Sequence, residues 1–186
     1  MRSKSTTLAA LVVAIVSSVL MSIPAVAADA PADFVAQAKA AGLSAGQATG
    51  LQNKVDGYLA KLGNQAHQAA PNRIELPGAV LNVAVPGETA PRALGASGIP
   101  ECQLRANYGW FCAYEYASFH GDNIGFYNCG EYKPIPWYTT GSWENNQTPG
   151  TRPYVFYGIR FESLPAAYSM QLTGMDWGPV SGIMAC

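Results

Sequence analysis

Charge is what this sequence has least of. Of its 186 residues, 12% are Asp, Glu, Lys or Arg, and no basic cluster stands out. A protein that grips nucleic acid through its phosphates carries a basic patch or stripe, so that class is not expected. Attraction to an anionic membrane surface is equally unsupported. Histidine is nearly absent, with His67 and His120 the two in the chain. Nucleophilic hydrolysis needs a nucleophile beside a positioned base, and His120, next to a glycine, reads as an exposed turn residue. The chain has no His-Glu-x-x-His pattern and no glycine-rich phosphate loop. Its four cysteines include no two separated by two to four residues, so the usual spacing of a zinc site is missing. Glu115, Asp122, Glu131 and Glu144 could converge as paired carboxylates, although surface positions are the commoner outcome for such residues. The expectation is a non-enzyme, with no catalytic residue and no required cofactor.

A long apolar run occurs at the start. Arg2 and Lys4 precede Leu8 to Leu20, broken only by Ser17 and Ser18, and Ala25-Val-Ala27 offers small residues where a signal peptidase reads them. Residues 1–27 are therefore expected to be a signal peptide. The core is too short, and ends too soon in Pro24, for a membrane anchor. The mature chain, from about Ala28, is expected to be secreted and extracellular, with no membrane partner. Without Arg2 and Lys4, nine basic residues face twelve acidic ones, a net charge of −3. In an oxidising compartment four cysteines read as two disulfides. Three pairings are open. The expected one is Cys102–Cys112, straddling a short hairpin, with Cys129–Cys186, tying the C-terminal end to the sheet.

Glycine, proline and aromatics are what the chain has in quantity: 19 Gly, 13 Pro and 11% Phe, Trp and Tyr. They suit a turn-rich β domain. Ala30 to Leu62 differs in kind. Pro31 fits a first helical turn and Gly42 a stop. Ser44-Ala-Gly-Gln47 has capping-box spacing, with Leu43 and Ala48 as a hydrophobic staple. From there Leu51, Val55, Tyr58, Leu59 and Leu62 line one helical face, which Gly63 ends. Arg73–Leu76 and Ala79–Val85 read as strands joined at Pro77-Gly78. Residues 28–85 are thus expected to form a small helical and hairpin module, either a pro-region or docking unit or a modest accessory domain. Residues 86–100, broken by Gly87, Pro91, Gly95 and Gly98, are expected to be a linker. The main domain is expected over 101–186.

That domain centres on Tyr114-Glu-Tyr-Ala-Ser-Phe119-His-Gly121. An aromatic, four residues, a second aromatic, one residue and glycine mark a folded β-hairpin, with glycine supplying positive φ. Tyr114 is the ring expected to cross the turn, with Phe119 beneath it, and Phe111–Tyr116 and Asn123–Tyr127 are the flanking strands. This pattern resembles the Greek-key motif of the βγ-crystallins. The surrounding Cys102, Cys112 and Cys129, with Gly141-Ser142-Trp143-Glu-Asn-Asn146 where the last strand of such a motif would start, are similar to the secreted actinobacterial proteins of peptidase inhibitor family I36. The resemblance covers about 101–186 and is best over 102–146. It implies a mainly β fold: a βγ-crystallin-like Greek-key domain with disulfides, preceded by the small α+β module. No second aromatic pattern of this kind occurs. The rest reads as an extended loop over Gly130–Tyr138, then strands at Gly141–Asn146, Tyr154–Tyr157 and Ile159–Phe161.

The function that follows is inhibition of an extracellular peptidase, metalloproteinases being known targets of that family. Inhibition needs a rigid exposed segment that orders at little cost on entering a cleft. Two segments qualify: Tyr132–Tyr138, with Pro134, Ile135, Pro136 and Trp137 as candidate inhibitory residues, and the turn from Asn145 to Arg152. Relatives that inhibit metalloproteinases carry a disulfide-constrained loop in the second half of the domain. This chain has no cysteine between Cys129 and Cys186 on which to place it. The alternative is a structural or calcium-binding crystallin-type protein of the envelope. Its candidate calcium ligands are Asn145 and Asn146, with Glu144 or Asp122 for charge, but Pro149-Gly150 stands where such sites carry hydroxyl residues. A third reading is a secreted hydrolase with a helical pro-region.

Overall fold

The computed structural model describes residues 33–94 and 101–186. The expected signal peptide and residues 95–100 of the expected linker lie outside the described residues.

Local signals set the two α-helices of the described residues. α1 (Phe34–Ala40) is capped by Asp33, whose carboxylate accepts from the Ala36 amide at 2.9 Å. In α2 (Ala45–Leu62) the Ser44 hydroxyl accepts from the Gln47 amide and the Gln47 side chain accepts from the Ser44 amide, closing the capping box. Ala48, Leu51, Val55 and Tyr58 form its buried stripe.

Among the described residues eleven strands follow: β1 (His67–Ala70), β2 (Arg73–Leu76), β3 (Ala79–Asn82), β4 (Trp110–Tyr114), β5 (Asn123–Phe126), β6 (Tyr132–Pro134), β7 (Thr140–Asn146), β8 (Tyr154–Tyr157), β9 (Arg160–Ser163), β10 (Ser169–Asp176) and β11 (Gly182–Met184). They form two antiparallel sheets. One has seven strands in the order β1-β2-β3-β5-β4-β7-β10, and the other has four in the order β6-β11-β8-β9. The protein is mainly β.

The expected boundary between an N-terminal module and a main domain is not where the core divides. β3 pairs with β5 in register Asn82↔Asn123 and Ala79↔Phe126, so strands on either side of residues 86–100 belong to one sheet. Leu51 and Val55 of α2 share a buried cluster with Ile74, Leu81, Phe111, Ile124 and Trp143. Asp33 to Cys186 is one compact unit. Standing alone, the two helices and strands β1 to β3 would leave one edge of β3 unpaired. β3 instead satisfies its free edge against β5.

Two further expectations change. Gly130–Tyr138 is not all loop, because β6 pairs with β11 through Lys133↔Ile183. At the folded hairpin Gly121 does take positive φ (+77°), but the ring over it belongs to Tyr116: a Cβ at Gly121 would come within 2.6 Å of its Cδ2. Tyr114 points inward, fully buried against Phe119 with ring centroids 4.9 Å apart. Ser118 and Phe119 both adopt positive φ, an unfavourable conformation for residues with a Cβ. Ser142 on β7 holds it, accepting from the Phe119 amide at 3.0 Å and donating to the Tyr116 carbonyl at 2.7 Å. Beside it Trp143 is buried, stacked on Phe111, and donates its indole N–H to Gln171. The disulfides are Cys102–Cys112 and Cys129–Cys186, with no free cysteine.

Candidate functional site

The two segments proposed from sequence as cleft-binding loops have opposite environments. Ile135, Pro136 and Trp137 are buried and only Pro134 is half-exposed. Ile135 and Trp137 belong to the main core cluster, and the Trp137 ring meets Tyr58 of α2 edge-on at 6.4 Å. Lys61 at the end of α2 donates to the Pro136 carbonyl at 2.9 Å. The apolar anchors that looked suited to a protease pocket are thus already spent on packing under α2. The exposed side chains of the segment are those at its two ends, Tyr132 and, at 72% exposure, Tyr138. The expectation of an exposed inhibitory loop at 134–137 is corrected accordingly.

The second segment keeps its exposure. Thr148, Pro149, Gly150 and Arg152 face solvent, and the backbone beneath them is fixed from inside. Asn145, wholly buried at the end of β7, donates its amide to the carbonyls of Thr151 (3.0 Å) and Pro165 (3.2 Å) and accepts from the Gln147 N–H. The Gly150 amide reaches the Ala167 carbonyl, the Ala167 amide returns to Thr151, and the Thr151 amide closes on Thr148. Asn146 donates to the Ala106 carbonyl at 2.8 Å. These contacts give Asn145 a turn-shaping role, while Asn146 ties the end of β7 to the segment before β4. Glu144, the carboxylate nearest in sequence, is held by Arg105 and the Ala106 amide. Among the described residues no group of three or more His, Cys, Asp or Glu side chains is placed to hold a metal ion.

Of the four carboxylates, only Glu115 and Asp122 come together. Glu131 pairs with Lys133 at 2.8 Å and Glu144 with Arg105. Asp122 is fully buried at the folded hairpin. It accepts from the Tyr58 hydroxyl, from Lys54 Nζ at 2.8 Å and from the Ala84 amide at 2.8 Å, while its own amide donates to Glu115. Every approach to this carboxylate is occupied, so it works as a clamp between α2 and the sheet. Burial, followed by the Asp122 charge, raises the Tyr58 hydroxyl pKa far above its ordinary value. Burial and then the same charge raise the Glu115 pKa. A carboxyl whose folded pKa is raised contributes stability below its unfolded pKa, and that contribution is lost as pH rises through the folded value. Glu115→Gln keeps an oxygen for the Asp122 amide and removes the charge. The variant is expected to melt above the wild type at pH 7 and to lose that advantage below about pH 4, the unfolded carboxylate range. Melting curves across that window check it; a lower Tm at pH 7 would contradict it. His120 is exposed in the turn.

Sequence reasoning overlooked the β8–β9 hairpin as a surface. Ile159 at its tip is 100% exposed and Phe161 on β9 is 59% exposed. Tyr157 and Arg160 pair across the two-residue turn, and Gly158 takes positive φ there. Glycine at the first of two residues between aromatic-rich strands was the available sign.

Fold and site together define a disulfide-bonded, mainly β protein of two antiparallel sheets carrying an internally braced surface loop. No family profile, curated protein or solved structure matches the chain.

Proposed function

We propose that this protein is a secreted inhibitor of an extracellular peptidase, built on a βγ-crystallin-like Greek-key domain similar to the proteins of peptidase inhibitor family I36, and that it engages its target through Thr148–Arg152. The observation that carries this reading is the buried Asn145 amide, bonded to the Thr151 and Pro165 carbonyls beneath a segment in which Thr148, Pro149, Gly150 and Arg152 are exposed. A segment already ordered loses little entropy on entering a cleft, which is where short loops usually forfeit affinity. Ser142 bridging the folded hairpin supports the crystallin-like part of the reading. Metalloproteinases are the first class to test, because the sequence resemblance points to them.

The experiment is titration of the purified, disulfide-bonded chain against a thermolysin-like metalloproteinase and a subtilisin-like serine protease, each with and without calcium. The expected result is saturable inhibition of one enzyme. The double variant Pro149→Ala/Arg152→Ala should weaken it at least tenfold, about 1.4 kcal/mol, with the melting temperature unchanged. Absence of inhibition at micromolar protein would end this reading. A rise in melting temperature with calcium would then favour the structural, calcium-binding alternative.

A further inference from the structure

Two sheets leave four outer strands: β1 and β10 on one, β6 and β9 on the other. An open edge invites pairing with another chain, and proteins blunt edges with bulges, prolines or charges. β1 has a register break between Gln68 and Ala70, β10 has one between Gln171 and Met175, and β6 ends in Pro134. β9 has neither a break nor a proline, and all four of its residues are exposed.

Its hydrogen-bonding phase can be fixed. The Leu164 amide donates to the Pro153 carbonyl at 2.8 Å, and the register continues through Val155↔Glu162 to Tyr157↔Arg160. In an antiparallel ladder, bonded and non-bonded pairs alternate. Arg160 and Glu162 therefore direct their backbone polar groups at β8, and Phe161 and Ser163 direct theirs away from it. The side chains alternate too, so Arg160 and Glu162 share one face. Among the described residues neither enters an ion pair.

We propose that β9 is a self-association edge, on which a second copy of this chain pairs antiparallel about a two-fold axis at Phe161. That register sets Phe161 opposite Phe161 as a bonded pair, using the outward N–H and C=O. It also sets Arg160 opposite Glu162 of the second copy, twice over. A parallel in-register pairing would oppose like charges, which costs stability. The two four-stranded sheets become one of eight strands. Its outer face runs through the contacts Tyr132–Phe156, Phe156–Phe161 and Tyr154–Phe161 of each copy, and the exposed Ile159 lies beside the joint. The braced loop at 148–152 lies at the far end of the β8–β9 hairpin from its tip, so pairing leaves it free for a separate partner.

The test is sedimentation equilibrium of the full disulfide-bonded chain and of two charge variants, Arg160→Glu and Glu162→Arg, with circular dichroism to verify folding. The wild type is expected to self-associate, and each variant alone to associate at least tenfold more weakly. In each variant like charges face each other across the axis. Mixing the two variants restores opposite charges at both positions, so a heterodimer is expected at close to wild-type affinity. A wild type that stays monomeric up to about half a millimolar (about 4.5 kcal/mol) would overturn the proposal. So would variants that associate as well as the wild type, or a mixture of folded variants that fails to associate.

Discussion

Asp122→Ala is expected to lower stability by about 3–5 kcal/mol, the usual cost of removing one partner from a buried charged network. The substitution strips the Tyr58 hydroxyl, Lys54 and the Ala84 amide of their acceptor at once. Two of those donors sit on α2 and the third follows β3, so the loss falls on the joint between helix and sheet. For a chain of this size such a loss lowers the melting temperature by roughly 10 °C. Tyr58→Phe should cost far less, because Asp122 keeps Lys54 and the Ala84 amide. Urea unfolding measures both variants. An Asp122→Ala loss below about 1 kcal/mol, within the range of an exposed pair, would mean the clamp contributes little.

Removing Cys129–Cys186 with paired serine substitutions is expected to cost about 4 kcal/mol by chain entropy, against about 3 for Cys102–Cys112. The ordering follows from the separations, 57 residues against 10. The longer link also closes the four-stranded sheet, since the Gly130 amide donates to the Cys186 carbonyl at 3.0 Å beside the β6–β11 pair. Denaturant titration of the two double variants tests the ordering. If the Cys102/Cys112 variant proves the less stable, loop entropy is not what sets the contribution of these bonds.

Local chemistry was readable from sequence, and long-range partnership was not. Ser44 and Gln47 announced α2 because a capping box is decided within four residues. Gly121 announced a turn for the same reason, and Cys102–Cys112 followed from a hairpin argument over ten residues; Cys129–Cys186, 57 residues apart, is the one long-range expectation that held, on the argument that it ties the C-terminal end to the sheet. The ring over that turn was misassigned by two residues, since Tyr114 and Tyr116 share a strand face until the turn parts them. Pro134 to Trp137 looked like an exposed arm because prolines and aromatics suit one. Its exposure was settled by Tyr58 and Lys61, more than seventy residues earlier. The domain boundary placed between the two parts failed similarly: nothing near Ala79–Asn82 says that its neighbour is Asn123–Phe126. β1, β10 and β11 were overlooked. β11 holds its place between β6 and β8 through three register pairs on each side, a signal spread over fifty residues.

The bond between Cys129 and Cys186 also makes the segment from one to the other a closed covalent ring. Thr148–Arg152 lies inside that ring. A peptidase that hydrolyses one bond there opens the ring without releasing a piece. The product differs by one water in mass, migrates as a single species until it is reduced, and keeps both new ends anchored, one by β7 and the other by β8. Cutting the exposed loop would therefore nick the molecule while leaving its parts joined, and would leave the severed ends close enough to meet again.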